Sequence, residues 1–346
     1  MKVGLIARSD YTGLGIQTRN LARMLNPDRV LLINSTIFNG NQQHPEIYTK
    51  YNTTEVEGFP GEIEIRKWIE GLDVVISCEI FYNTHFVDIA NFMGVKTILQ
   101  YNWEFADYLR HPEMTLPTSM VSPSYWHLHD AQALWGNVSY LPTPMFLEDY
   151  EEVKEYNLNR TGQKRFLHVM GRQAVNDRNG TNDLIKALKH SYADFELVIK
   201  AQSGNLDFLG KDPRLTIDTS SPANEVELYR DFDAMILPRK YAGQCLPMTE
   251  ALCAGLPVIM TDIEPNNQVL PPHWLVESEP IGQFMARTMI DMYAAVPHKL
   301  ADRLEQFAEK DLHQDKLKAY NIGKTQYSSE SLETKWRELI EITCSR

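Results

Sequence analysis

The chain has 346 residues, 43% of them hydrophobic and 23% charged, a soluble globular composition with enough length for two cores. No apolar run reaches the ~20 residues that span a bilayer, and the opening MKVGLIARSD turns polar too early for a secretion signal. The formal net charge is −12 and acids outnumber bases in both halves, which argues against a protein built to grip nucleic acid, where a cationic face is expected.

In chain order, short apolar runs bounded by turn residues predict strands at Val3–Ala7, Val30–Ile33, Val74–Ser77, Thr97–Gln100, Phe166–Met170, Glu196–Lys200, Ala234–Leu237 and Pro257–Thr261. Helical patterns such as IQTRNLARML, NDLIKALKHS and PMTEALCA lie between several of them. This alternation predicts an α/β chain with parallel sheets covered on both faces. The series breaks at YLPTPMFLEDYEEVKEYNLNRTGQKR, where two prolines precede an acidic stretch. The predicted organisation is an N-terminal Rossmann-like domain over 1–145, a linker over 146–163, a second Rossmann-like domain over 164–325, and a C-terminal helix over 326–346, with the two domains facing across a cleft. Cys78, Cys245, Cys253 and Cys344 form no C-x-x-C pair, so neither a zinc knuckle nor a disulfide framework is indicated and a reducing, cytoplasmic setting is expected.

Four stretches could carry chemistry. In VGLIARSDYTGLGIQTRNLARML, Gly13 and Gly15 fall between a strand and a helix predicted to start near Ile16; they either let backbone N–H groups approach a ligand or make a tight turn. Thr18 stands where the third glycine of a dinucleotide fingerprint would be, which speaks against a nicotinamide enzyme. In LQYNWEFADYL, Asn102, Trp103 and Glu104 follow a strand; Trp103 could stack on a sugar ring or lid the core. In FLHVMGRQAVNDRNGTNDLIKAL, Arg172 and Arg178, joined by Lys200 from ELVIK, could clamp a diphosphate or stand in solvent. In LPRKYAGQCLPMTEALCAGLPVIMTD, Glu250 is expected in the first turn of a helix, where it either complements the dipole or accepts hydrogen bonds from neighbouring hydroxyls. His85, His111, His127 and His129 lack metal-ligand spacing and are read as non-ligands.

Together these motifs resemble the large retaining family of nucleotide-sugar glycosyltransferases of the GT-B architecture. The family's signature is approximately P-S-x-x-E-G-F-G-L-P-x-x-E-A-M-A-C-G-x-P-V-I, matched in register by Pro238, Gly243, Leu246, Pro247, Glu250, Ala251, Gly255, Pro257, Val258 and Ile259. FLHVMGR, GLGIQTRNLARML and VSPSYWHLHDAQALWGNVSYLPTPM are similar to further family stretches, and the glycine loop is also similar to that of bacteriophage-encoded members.

The resemblance implies a nucleotide-sugar donor, a UDP-sugar first, with no metal or other cofactor and retention at the anomeric carbon. It implies that Glu250 holds the ribose hydroxyls and that Arg172 with a second cation near Arg178 holds the diphosphate. Gly243, Gln244, Cys245 and Leu246 would border the leaving phosphate and sugar, with Gly13 and Gly15 on the other side. Asn102 and Trp103 would meet the acceptor, and Glu104 and Asp10 are the carboxylates expected in the cleft for a catalytic role. Ala242 stands where the family's first glutamate approaches the sugar. That departure leaves a non-catalytic sugar-nucleotide or glycan-binding relative as the alternative. The acceptor stays open among a small molecule, a protein, a glycan and a hydroxymethylated DNA base, and no membrane insertion is expected.

Overall fold

In the computed structural model the described residues are 1–36, 40–172, 175–203, 206–220, 224–241 and 243–346. The side chains of Arg172, Val175 and Ser203 lie outside the description, as does all of Ala242. The chain divides into two compact units, one of Met1–Pro144, Ala286–Thr288 and Ser329–Arg346, the other of Met145–Met285 and Met289–Ser328.

The first unit is built on seven parallel strands: β1 (Val3–Ala7), β2 (Arg29–Asn34), β3 (Thr53–Glu57), β4 (Val74–Cys78), β5 (Lys96–Gln100), β6 (Ser119–Ser122) and β7 (Val138–Tyr140). Their spatial order is β3-β2-β1-β4-β5-β6-β7. The chain thus works outward from β1 to β3 and then restarts at β4 on the other flank. Loops leaving β1 and β4 diverge, and ligand crevices of open α/β sheets form at such a reversal. The central strands are largely apolar because helices cover both faces; all five residues of β4 are buried. A buried polar tie crosses beneath this edge: Gln17 Nε2 donates to Gln100 Oε1 at 2.6 Å, and Gln100 Nε2 donates to the Leu141 carbonyl at 2.7 Å. The helix Ser329–Cys344 belongs to this unit, burying Trp336 completely and bringing the Thr343 hydroxyl within 2.7 Å of Ser119 Oγ.

The second unit repeats the plan with β8 (Arg165–Arg172), β9 (Glu196–Ser203), β10 (Leu215–Asp218), β11 (Ala234–Leu237), β12 (Val258–Thr261) and β13 (Leu275–Val276), all parallel and ordered β10-β9-β8-β11-β12-β13. Its reversal lies between β8 and β11. An antiparallel hairpin follows, β14 (Ser278–Met285) and β15 (Met289–Ala295).

Two expectations change. The stretch 146–163 is not a bare linker: Leu147–Leu158 is a helix of the second unit, burying Tyr150, Val153, Lys154 and Asn157. Asn157 holds it in place, its Nδ2 donating to the Tyr229 and Ala254 carbonyls at 3.0 and 2.9 Å. The helix near Ile16 begins earlier, at Gly13, so Gly13 and Gly15 lie inside its first turn. Thr12 caps it through a 3.3 Å bond from the Gly15 amide. A Cβ on residue 15 would fall 1.9 Å from the Asp10 carbonyl oxygen, so the absence of a side chain lets the strand exit cross the helix start.

Candidate functional site

At the β8/β11 reversal of the second unit, two loops leave the sheet side by side. The first runs from Arg172, which closes β8, to the helix Thr181–Leu188. Asn179 Nδ2 pins it by donating to the Val169 and Met170 carbonyls, both at 3.1 Å. Gly180 has φ +71°, and a Cβ there would lie 1.9 Å from the Pro238 carbonyl oxygen, so glycine is what lets the two loops meet. The Lys240 amide then donates to the Arg178 carbonyl at 3.0 Å. Asn176 and Asp177 both have positive φ, 68° and 48°, strained backbone of the kind that clusters at functional sites.

These loops bring several cations together. Arg178 lies 5.1 Å from the centroid of the Tyr241 ring, which itself packs on Phe284 of the hairpin. Lys240, nearly buried, lies 3.1 Å from Asp177 and 3.5 Å from the buried Asp183. Burial raises the Asp183 pKa while Lys240 and Lys186 oppose the rise. Arg239 is 6% exposed, and among the described residues its guanidinium has neither a carboxylate nor a hydrogen-bond partner; its Nε is fully buried. A cavity of about 460 Å³ opens beside the loops. Asn176, Asp177, Asn182 and Lys240 give it a polar side, and Phe208, Ile281 and Met292 an apolar one.

Below this edge His168 ties the two strands internally. Its Nδ1–H donates to the Ile236 carbonyl and its Nε2 accepts from the Thr181 hydroxyl, each at 2.8 Å. Burial holds its pKa down to about 4, so the ring is neutral.

Glu250 stands on the helix Leu246–Cys253 as its fifth residue, in the second turn; no acid occupies the first. Cys245 is the flanking residue and Pro247 fills the second helical position, so the register starts one residue earlier than proline alone suggests. The half-buried Glu250 carboxylate accepts a hydrogen bond from Tyr229, whose hydroxyl burial keeps protonated. Gly243 and Gln244 are half-buried in the loop before this helix. Lys200 does not join the arginines: its ammonium pairs with its register partner Asp218 on β10, which lowers the Asp218 pKa to about 2. Sequence reasoning passed over Arg239 and Lys240, because surface exposure is the default for these residue types, and over Tyr229, whose partner Glu250 lies 21 residues away.

At the β1/β4 reversal of the first unit, Asp10 is buried and fully engaged. Arg8, the Thr12 amide (3.1 Å), the Thr12 hydroxyl and Ser35 all reach its carboxylate. Burial would raise its pKa, but the Thr12 hydrogen bond and the Arg8 charge carry it below the usual carboxylate range. Asn102 precedes the turn Trp103–Phe105, and its Nδ2 donates to Glu79 Oε1 at 3.3 Å. Trp103 stacks on His127 with centroids 4.6 Å apart. Among the described residues no group of three His, Cys, Asp or Glu side chains could hold a metal ion, and no helix is long and apolar enough to cross a membrane.

No protein-family model and no curated relative matches the sequence. Solved structures do match in fold. The lipopolysaccharide outer core galactosyltransferase WaaB, in its apo form, superposes with a TM-score of 0.69 over 99% of both chains at 15% identity. A glycosyltransferase from Rickettsia africae does so with a TM-score of 0.69 over 99% of this chain and 98% of that one at 12% identity. HepE from Anabaena, in complex with UDP and glucose, gives 0.69 over 99% of both chains at 11% identity. The shared feature is the α/β GT-B fold with its two parallel sheets.

Proposed function

We propose that this protein is a glycosyltransferase that takes a UDP-sugar as donor and binds it at the β8/β11 edge of the second unit. The observation that carries the reading is Arg239. A guanidinium nine-tenths buried with no anion beside it among the described residues is costly, and the diphosphate of a nucleotide sugar supplies a counter-charge through charge-assisted hydrogen bonds. Arg178 adds a second cation, and Arg172 enters the same loop from the end of β8. Glu250, oriented by Tyr229, accepts from the ribose hydroxyls. The crystallised HepE complexes with UDP and with UDP-glucose support uridine as the nucleoside.

In the reaction the anomeric C–O bond breaks through an oxocarbenium-like state, and charge grows on the departing diphosphate oxygen. Preorganised cations in a partly dry site stabilise that charge more than they stabilise the ground state. Arg239 and Arg178 fill this role without a metal, and we assign retention at the anomeric carbon from the resemblance of the motifs. Asp10 is left out of the chemistry, because its carboxylate is consumed in holding the β1 exit to the following helix.

The test is calorimetry and thermal shift with UDP, GDP and ADP, followed by UDP release from UDP-glucose and UDP-galactose. UDP is expected to stabilise the protein by about 4 kcal/mol at a thousandfold excess over Kd, and Glu250→Ala to weaken it at least tenfold. Stabilisation by none of the three nucleotides would overturn the reading.

A further inference from the structure

The cavity of about 460 Å³ lies wholly in the second unit, and neither Arg239 nor Glu250 lines it. Its volume falls in the range of small-molecule sites, about 300–1,000 Å³. Three segments wall it: the loop carrying Asn176, Asp177 and Asn182, Phe208 after β9, and the hairpin through Ile281 and Met292. The hairpin is held in place from both of its strands. The Tyr293 amide on β15 donates to the Lys240 carbonyl at 2.9 Å, and Phe284 on β14 packs on Tyr241 with centroids 4.8 Å apart. Phe208 and Ile281 nevertheless stay 38% and 47% exposed, so the apolar wall is open to a ligand rather than sealed by the fold.

The charges of the polar wall are already matched. Lys240 lies 3.1 Å from Asp177 and 3.5 Å from Asp183. The Arg178 guanidinium lies over Tyr241, a ring that does not line the cavity. An anion entering here meets the Asp177 carboxylate, and a cation meets Lys240. The polar groups left over are neutral amides and one carboxylate oxygen. Among the described residues the side-chain amides of Asn176 and Asn182 make no hydrogen bond. Asp177 uses Oδ2 both for the Asn182 main-chain amide, at 3.1 Å, and for Lys240, which leaves Oδ1 to accept. A carboxamide offers an acceptor and two donors, and neighbouring hydroxyls, which donate and accept, match it. The opposite wall of Phe208, Ile281 and Met292 offers apolar contact alone. An uncharged ligand with hydroxyls around its edge and C–H groups on its face answers both walls, and a sugar ring has that form. A nucleobase is a poorer match, because Phe208 is the one aromatic ring among the described lining residues.

We propose that this cavity is a carbohydrate site that takes a neutral mono- or disaccharide unit. Asn176, Asn182 and Asp177 Oδ1 bind its hydroxyls, and Phe208 and Ile281 cover its apolar face. The inference goes beyond the donor reading and stands apart from it, since it uses neither Arg239 nor Glu250.

The experiment titrates the full chain with glucose, galactose, N-acetylglucosamine, maltose and lactose by calorimetry and saturation-transfer NMR, with sorbitol as a hydroxyl-rich control that has no ring. At least one saccharide is expected to bind, and sorbitol is not. Asn176→Gly removes the amide yet suits the left-handed backbone at φ 68°, and Ile281→Ala alters a side chain that is half exposed. Each should weaken the saccharide about tenfold, whereas Glu250→Ala should leave its Kd within about twofold. Binding by none of the saccharides overturns the proposal. So does binding that both cavity variants leave unchanged, binding lost in Glu250→Ala, or equal binding of sorbitol. UDP is titrated in parallel: a wild type that binds a saccharide but no UDP overturns the donor reading and leaves this site standing.

Discussion

At the carboxyl edge of the first sheet the charged loop residues are mainly acids, Asp10, Glu79 and Glu104, with Arg8 committed to Asp10. At the corresponding edge of the second sheet they are Arg178, Arg239 and Lys240, with Asp177 and Asp183 serving Lys240. The strand order is the same, a first strand flanked by its successors with the reversal beside it. Topology therefore fixes where a ligand meets each sheet, and the loops fix what kind. A cationic edge suits the diphosphate of the proposed donor, and an acidic edge does not.

The largest expected effect that sharpens this contrast comes from Lys240→Met. It leaves Asp183 buried with only the solvent-exposed Lys186, at 3.6 Å, as a cation partner among the described residues, and should destabilise the second unit by about 3 kcal/mol or more, read by urea unfolding with hydrogen exchange resolved by unit. Next is pH. His168 has a folded pKa of about 4 against about 6.5 unfolded. The unfolded chain thus binds the proton first as pH falls, and stability present above pH 6.5 is lost between about 6.5 and 4, by roughly 3 kcal/mol. Asp10 adds to the acid sensitivity of the first unit only at lower pH, because its folded pKa is depressed and its contribution is lost as pH falls through that value. Exchange at pH 5 should therefore loosen β8 and β11 before β1 and β4; the reverse order would break the comparison, as the first sheet's internal tie is the uncharged Gln17–Gln100 pair.

Arg239→Met is expected to split stability from binding. Without a buried unpaired charge the apo protein should be as stable as wild type or more so, while UDP affinity falls about tenfold to a hundredfold by calorimetry. Loss of stability with unchanged affinity would remove Arg239 from the donor site. The smallest effect is Tyr229→Phe, which deletes one hydrogen bond to Glu250 and should cost about 1–2 kcal/mol in UDP binding, with little change in ADP or GDP discrimination.

The central strands were readable because parallel strands covered on both faces are runs of apolar residues, as in β1, β4, β11 and β12. Strands β6 (SMVS), β7 (VSY) and β10 (LTID) mix polar with apolar residues and β13 has only two residues, so no apolar run marks them. The helix Leu147–Leu158 was hidden by its acids, since its apolar face is only Leu147, Tyr150 and Val153 and is completed by the buried amide of Asn157. The loops carrying Arg178 and Glu250 could be singled out from turn residues and strand ends. Glu79 and Arg239 could not: a left-handed backbone at one and, among the described residues, the lack of a counter-charge at the other are properties of the assembled fold.

The helix Ser329–Cys344 lies far along the chain yet completes the first unit. During synthesis, at 5–20 residues per second, residues 1–144 emerge roughly 10–40 s before that helix does. For that interval the nascent first sheet lacks the Trp336 side chain that covers it and the Thr343 hydroxyl beside Ser119. The second unit, unbroken from Met145 to Ser328 apart from the hairpin tip, is the part that can mature first on the ribosome.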